Sequence, residues 1–479
     1  MQLSLLLPIL SFLVPIEAAE TVLGAYIFHR HGDRTPKSTP SVNMTTLGYD
    51  QVYNSGRYYR SRFLTGSSKI RGLNENLVRL TQLSVTAPVD NVLQNSATAF
   101  LQGLYPPVGE TMGIQTLANG TDVQTPMSGY QLIPVNTIAS GTGSEDNGWL
   151  QDATGCQNAK LSSNAYFTSS EYNQLLSRTK EFYNRLVPVV NGTFEEKDVN
   201  YKNAYAVYDL INVASIHNST IPSGDVLTNE TLFQTRTLAD AHEWGLAWNA
   251  SDNMRAISGM QLAGEILKYM NSTITSGSSG SSSNRLGIQF GAYATFFSFF
   301  GLTDLPKANP DFMGLPDYAS SMVFELFTEQ EVQNNRFPST SELQVRFLFH
   351  NGTASNSSEP IAYPLFGGSE TAISWDDFSN GLNKFAVSTT EQWCHKCGNT
   401  TGTCAAYAPA GNNNPNATEN GGGKRMSAAI GGVIGAFVTL AVVLGTLVAA
   451  MILGGFRLVS KKALAGRGTP TYETASGKA

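Results

Sequence analysis

The sequence predicts an α/β fold, a sheet with helices on both faces, followed by one C-terminal transmembrane helix. Two observations point to the α/β class: short apolar runs of strand length, and, between them, longer stretches whose apolar residues recur at helical spacing. A third, 31 consecutive residues without a charge between Arg425 and Arg457, predicts the membrane span. Of the 479 residues, 41% are hydrophobic and 10% aromatic, enough for a sizeable core and incompatible with a disordered chain.

Residues 1–19 hold an apolar run, Leu3 to Val14, then Pro15 and a small-residue exit at Ala18-Ala19. They read as a secretory signal peptide cleaved after Ala18 or Ala19, although no Lys or Arg precedes the run. Thr21 to Phe28 is a short, fully buried strand that stops at a charged loop. Residues 89–105 read as a helix, with Val92, Leu93, Ala97, Phe100, Leu101 and Leu104 on one periodic stripe. Residues 250–270 form another, carrying Ile257, Met260, Leu262, Ile266 and Leu267. Ser276 to Asn284 is a Ser/Gly loop, followed by a strand at Leu286–Gly291 and an apolar helix through Phe296–Gly301. Met322–Phe327 and Leu343–Phe349 read as strands, the latter alternating Val345, Phe347 and Phe349.

From 394 to 425 the chain is a Cys-containing stalk, Gly/Asn-rich from Asn399 to Lys424. Residues 426–456 then form the span, since about 20 helical residues cross the hydrocarbon layer. The tail, 457–479, carries Arg457, Lys461, Lys462, Arg467 and Lys478 against Glu473, a net of +4 that leaves −10 for the rest. A basic flank predicts a cytoplasmic C-terminus, and 23 residues beyond the span argue against a lipid-anchor signal. The expectation is a single-pass type I membrane protein with an extracellular or lumenal ectodomain.

Eleven Asn-x-Ser/Thr sequons, at Asn43, Asn119, Asn191, Asn218, Asn229, Asn249, Asn271, Asn351, Asn356, Asn399 and Asn416, all precede the span. In an oxidising lumen Cys156, Cys394, Cys397 and Cys404 are expected as disulfides. Three pairings exist, and Cys397–Cys404 with Cys156–Cys394 is favoured. The rival reading is a zinc site that includes His395, with a spacing unlike common fingers. Charged residues are only 14%, against roughly 25% in typical soluble proteins. The net charge of −6 offers no basic footprint for nucleic acid.

Directly after the first strand comes Arg30-His31-Gly32-Asp33-Arg34-Thr35-Pro36. Open α/β sheets bind ligands beyond the carboxyl ends of their strands, which is where this loop falls. Arginine suits forked contacts with phosphate oxygens. A neutral imidazole can attack phosphorus and carry the phosphoryl group. Gly32 is expected to leave room for a ligand against the backbone. Asp33, beside two arginines, is expected to lose its proton readily.

In this loop the chain resembles the histidine acid phosphatase family, the branch of prostatic-type acid phosphatases and fungal phytases. The resemblance extends more loosely over 20–393, through Asn95-Ser-Ala-Thr-Ala-Phe-Leu-Gln-Gly-Leu-Tyr-Pro-Pro107, Leu238-Ala-Asp-Ala-His-Glu-Trp244 and Ser320-Ser-Met-Val-Phe-Glu-Leu326. It implies an α/β core, an inserted, mainly helical cap (roughly 89–200), and a phosphohistidine mechanism. Carried over residue by residue, His31 is the nucleophile and Arg30 and Arg34 are phosphate clamps.

Two family positions differ. A further phosphate-binding Arg, four residues before the Ser-Ala of the second stretch, falls at Val92. The His-Asp pair that follows a later strand falls at Tyr293 and Ala294. Alanine cannot donate a proton, while Tyr293 can hydrogen-bond a phosphate oxygen. The best remaining polar pair is His242-Glu243, read as the start of a helix with Glu243 capping or at the surface. His29 is expected to pack at the strand end. His217, His350 and His395 lack metal-ligand spacing, and Gly421–Gly423 lacks the setting of a nucleotide loop, so no metal or cofactor is expected. Two functions follow from the resemblance. One is a membrane-anchored extracytoplasmic acid phosphatase of weak or narrow activity on a phosphate-monoester small molecule. The other is a non-catalytic ectodomain that binds a phosphorylated ligand or surface partner. The sequence does not specify an oligomeric state.

Overall fold

The computed structural model describes residues 20–39, 41–138, 155–217, 225–332 and 336–408. The expected signal peptide, span and tail, and the stalk from 409 onward, lie outside them. Among the described residues no helix is long and apolar enough to cross a membrane.

Among the described residues ten strands form: β1 Thr21–Arg30, β2 Leu83–Pro88, β3 Ile114–Thr116, β4 Asp122–Gln124, β5 Asn136–Ile138, β6 Leu286–Gly291, β7 Ser321–Thr328, β8 Gln344–His350, β9 Ile361–Ala362 and β10 Ala372–Ser374. The main sheet runs β10-β8-β7-β1-β6-β2-β5, with β9 paired to β8; β3 and β4 make a separate hairpin. β1, β6, β2 and β5 are parallel, whereas β7, β8 and β10 continue the sheet in antiparallel fashion. β1 and β6 read as unbroken apolar runs because they lie centrally, covered on both faces.

On one face the helices Thr46–Arg60 and Asn91–Leu104 cover the sheet through Tyr59, Phe100 and Leu104, with Phe63 added by the helical turn Ser61–Thr65. Those two helices approach so closely that a Cβ on Gly56 would strike the Phe100 carbonyl, and one on Gly103 the Tyr53 carbonyl. Asp90 starts the second helix by accepting the Leu93 N–H at 2.9 Å. The other face is covered by Ile257–Ser278, Tyr293–Leu302 and Trp375–Asn383, with Phe296, Phe299, Phe324 and Phe378 fully buried. A third core, from Tyr166 to Leu238, joins the helices Ser170–Arg178, Lys180–Val190, Ala204–His217 and Asn229–Ala247. This is the helical cap. Asn91–Leu104, placed by the sequence inside the cap, belongs to the sheet instead, because it follows β2 directly and buries its apolar stripe there.

Three other expectations change. The helix beginning at Ile257 runs on to Ser278, into the expected Ser/Gly loop, because Gly277 packs under the ring of Phe337. The chain through Ala408 belongs to the folded unit, so residues 394–408, expected as part of the stalk, are folded with it. The disulfides are Cys156–Cys397 and Cys394–Cys404, not the favoured pairing. The helix Thr390–Cys397 ends at Gly398, whose φ of 63° reverses the chain. The turn Gly402–Tyr407 then lies beside the preceding helical turn and delivers Cys404 to Cys394. Cys397, at the helix end, is left facing the helix Gln157–Asn164, where Asn158 donates to the Lys396 carbonyl at 2.7 Å.

Candidate active site

The loop after β1 is held on every side by backbone. Arg30 N–H donates to Ser320 at 2.8 Å, Ala319 N–H to the His31 carbonyl at 2.9 Å, and Thr45 N–H to the Asp33 carbonyl at 3.0 Å. Gly32 N–H donates to the Ser96 hydroxyl at 3.2 Å. Contrary to the expectation, Gly32 leaves no room for a ligand. Its missing Cβ is where the Gly48 backbone passes, and Gly48 in turn lies against Asp33.

His31 is fully buried at the carboxyl end of β1. Its Nδ1 is 2.8 Å from the Gly32 carbonyl. A carbonyl only accepts, so Nδ1 carries the proton and Nε2 the lone pair. Arg30 donates to the Pro316 carbonyl, and its guanidinium lies over Tyr318 at 4.6 Å and beside Tyr293 at 5.5 Å. Tyr318 also faces the imidazole of His31, with ring centroids 5.5 Å apart. The next residue, Ala319, is buried at φ 64°, a left-handed conformation that costs an alanine about 1 kcal/mol. The kink turns the chain from Tyr318 into β7.

Arg34 is fully buried and cross-linked to the cap. Its Nη1 lies 3.0 Å from Asp209, and its Nη2 donates to the Tyr205 hydroxyl at 3.1 Å. Asp209 also accepts the Lys37 N–H at 2.8 Å. Lys37 Nζ sits 5.3 Å from the rings of both Tyr205 and Tyr293. Beside Arg30 a cavity of about 30 Å³, lined in part by Tyr205, Asp209, Pro316 and Tyr318, has room for a water or two.

Arg30, His31 and Tyr293 are thus brought together, while Arg34 is committed to a carboxylate. Asp33 is not beside the arginines. It lies fully buried, 2.7 Å from His217 Nε2 and bonded to the Thr45 hydroxyl. Val92 is fully buried in the apolar core. The reading of Glu243 as a surface or capping residue at a helix start is overturned. It lies in the last turns of Asn229–Ala247, accepts the Tyr293 hydroxyl at 2.8 Å, and faces His242 Nδ1 at 2.7 Å. Sequence reasoning missed Asp209, Tyr205 and Tyr318. The one signal was Asp209 itself, a lone carboxylate in an otherwise apolar helix.

His29 packs at the strand end, as expected, against Phe100 and Phe290. Burial pushes its pKa down to about 4. The unfolded chain then binds a proton that the native state refuses between about pH 6.5 and 4. Its contribution is complete above that window and lost on acidification through it, a fall of about 3 kcal/mol. Urea titrations from pH 7 to pH 4 should show this fall. His29→Phe should flatten it.

Fold and site together define an α/β protein in which a helical cap closes over a histidine–arginine loop at the ends of parallel strands. The sequence profile of the histidine phosphatase superfamily (branch 2) matches residues 39–350, and the chain belongs to that superfamily. Among solved structures, it is similar to the phytase from Citrobacter braakii, with a TM-score of 0.51 and 16% identity over 79% of this chain and 99% of that one. The Klebsiella sp. ASR1 phytase gives 0.49 and 11% over 77% and 95%, and the D. castellii phytase 0.47 and 14% over 81% and 83%. At such identities the likeness concerns the fold. No curated protein sequence matches the chain.

Proposed function

We propose that this protein hydrolyses phosphate monoesters through a phosphohistidine at His31, in an ectodomain held outside the cytoplasm by the span at 426–456. The observation that carries this reading is the placement of His31 and Arg30, buried together where β1 and β6 end in parallel. The fixed tautomer presents Nε2 as the attacking atom. Arg30 supplies positive charge to the transferring phosphoryl group, where electrostatic stabilisation is the main catalytic need. Membership of the superfamily supports this chemistry, and inositol-phosphate-type esters are a reasonable first substrate class. The sequons support an extracytoplasmic location, since none of their described asparagines is buried.

The decisive experiment incubates the full chain in detergent with a radiolabelled aryl phosphate at acid pH. Acid-labile, base-stable label supports turnover. The engagement of Arg34 with Asp209 favours a second reading, a non-catalytic ectodomain, and absence of label on folded protein would establish it over the first.

By the resemblance, Ala294, in the first turn of the helix Tyr293–Leu302, stands where the family carries a direct proton donor. A positioned general acid contributes about 10²–10⁴-fold, most for leaving groups that are poor anions. Ala294→Asp should therefore raise turnover of alkyl phosphates by roughly 10-fold or more while changing aryl phosphates little. Parallel assays with glycerol phosphate and p-nitrophenyl phosphate check this.

A further inference from the structure

The carboxylate of Glu243 is shared between two groups. Its Oε2 accepts the Tyr293 hydroxyl at 2.8 Å, and its Oε1 lies 2.7 Å from His242 Nδ1. Both carboxylate-side residues come from the cap helix Asn229–Ala247, while Tyr293 opens the helix that follows β6. In the parallel register of β1 and β6, Arg30 is opposite Gly291. Tyr293 follows Gly291 by two residues and opens the next helix. The Tyr293 ring accordingly stands 5.5 Å from the Arg30 guanidinium and 5.3 Å from Lys37 Nζ. Tyr205 packs on it at 4.7 Å, which limits how the phenol can swing. The phenol thus spans the gap between the arginine beside His31 and a carboxyl group set back in the cap.

We infer that Glu243 supplies, through the hydroxyl of Tyr293, the proton that departs with the substrate's leaving oxygen. This rests on the phosphatase reading above. With Glu243 protonated and its Oε2–H turned to Tyr293 Oη, which frees the phenolic proton for the substrate, the lone pair of His31 Nε2 forms the bond to phosphorus as the ester P–O bond breaks. The Tyr293 proton passes to the departing oxygen while the Glu243 proton passes to Tyr293 Oη. The products are an alcohol, phosphohistidine and a carboxylate, with the phenol restored. Hydrolysis runs the chain backwards: water forms the new P–O bond, the N–P bond breaks onto the ring, and the water's proton reaches Glu243 through Tyr293. The phenol never becomes a free phenolate, so a tyrosine's ordinary pKa near 10 does not bar it from passing the proton on. Tyr293 is the group that touches substrate, and Glu243 acts through it.

His242 is the positioning partner. Its ring is buried among Tyr166, Tyr172 and Tyr201, which fixes the edge it turns to Glu243. The charged groups facing the pair from other elements are Arg30 and Lys37, on the Tyr293 side. Glu171, on the Tyr166 side, is a further carboxylate whose field reaches this cluster. A relay of two transfers serves poor leaving groups less well than a direct acid at position 294, so Ala294→Asp still gains rate.

The test measures kcat/KM from pH 3 to 8 on the full chain with p-nitrophenyl phosphate and with glycerol phosphate. It compares wild type, Glu243→Gln and Tyr293→Phe, and scores phosphohistidine formation from the aryl ester in each. Glu243→Gln keeps the shape and an acceptor for Tyr293, so both variants are expected to label. Glycerol phosphate turnover should fall about 10²-fold in both variants, with a change of only a few-fold on the aryl ester. The alkyl profile of Glu243→Gln should lose its decline with rising pH. Equal losses on the two esters, or an alkyl pH profile unchanged in Glu243→Gln, would overturn the relay while leaving phosphatase activity standing. No label and no hydrolysis in the wild type would instead overturn the phosphatase reading, and the relay with it.

Discussion

His31→Ala abolishes acid-labile labelling and lowers aryl phosphate turnover by at least about 10³-fold, the scale expected when a covalent nucleophile is removed. The expectation follows from the fixed hydrogen bond between Nδ1 and the Gly32 carbonyl, which leaves Nε2 as the basic nitrogen. Alanine deletes the nucleophile and leaves Arg30 where it is, held by the Pro316 carbonyl and the face of Tyr318. Phosphate affinity should therefore change much less than kcat. Rapid-quench labelling beside inhibition by inorganic phosphate separates the two. A variant that retained label would place the phosphoryl group on another residue.

Asp209→Ala destabilises the folded unit by about 3 kcal/mol and loosens the cap from the loop. Asp209 is almost completely buried and is the carboxylate shared by the Arg34 guanidinium and the Lys37 N–H. Its loss leaves a buried guanidinium without its anionic partner, and removing one member of a buried pair is far costlier than replacing both. Arg34→Met combined with Asp209→Leu should accordingly recover most of the stability. Denaturant midpoints of the three proteins check the sign and the non-additivity. Activity divides differently. If Arg34 also contacts substrate, the double variant remains poor at turnover even when it is stable; activity at the wild-type level would assign Arg34 a purely structural role.

Much of this molecule was legible before any coordinates. β1, β6, β7 and β8 fall within a residue or two of the runs that announce them: the first three are buried on both faces and read as mostly apolar runs, while β8 alternates because one of its faces is only half-buried. The helix Asn91–Leu104 shows its stripe in the same way, since one face only is buried. The loop from Arg30 to Pro36 stood out because two arginines and a histidine directly after such a strand make an expensive arrangement without a ligand. What failed were inferences about partners. The disulfide pairing went wrong because it depends on a reversal at Gly398 and on which helix Cys397 faces. For Arg34 the string shows the charge and hides its buried partner Asp209, 175 residues further along. Glu243 was set aside because a carboxylate near the end of a weakly amphipathic helix looks solvated until the neighbouring helix places Tyr293 against it.

The division has a physical cause. Secondary structure and the chemistry of a loop are encoded by side chains a few residues apart, where periodicity and residue type act directly on the local backbone. Burial of His31 and Arg34, the pairing of cysteines and the proton path from Glu243 depend on contacts between segments separated by tens to hundreds of residues. Those contacts are selected by how three cores pack together, and no local pattern records that choice. The chain announced where its chemistry sits; the closing of the cap over the sheet settled which charges face the reacting atoms.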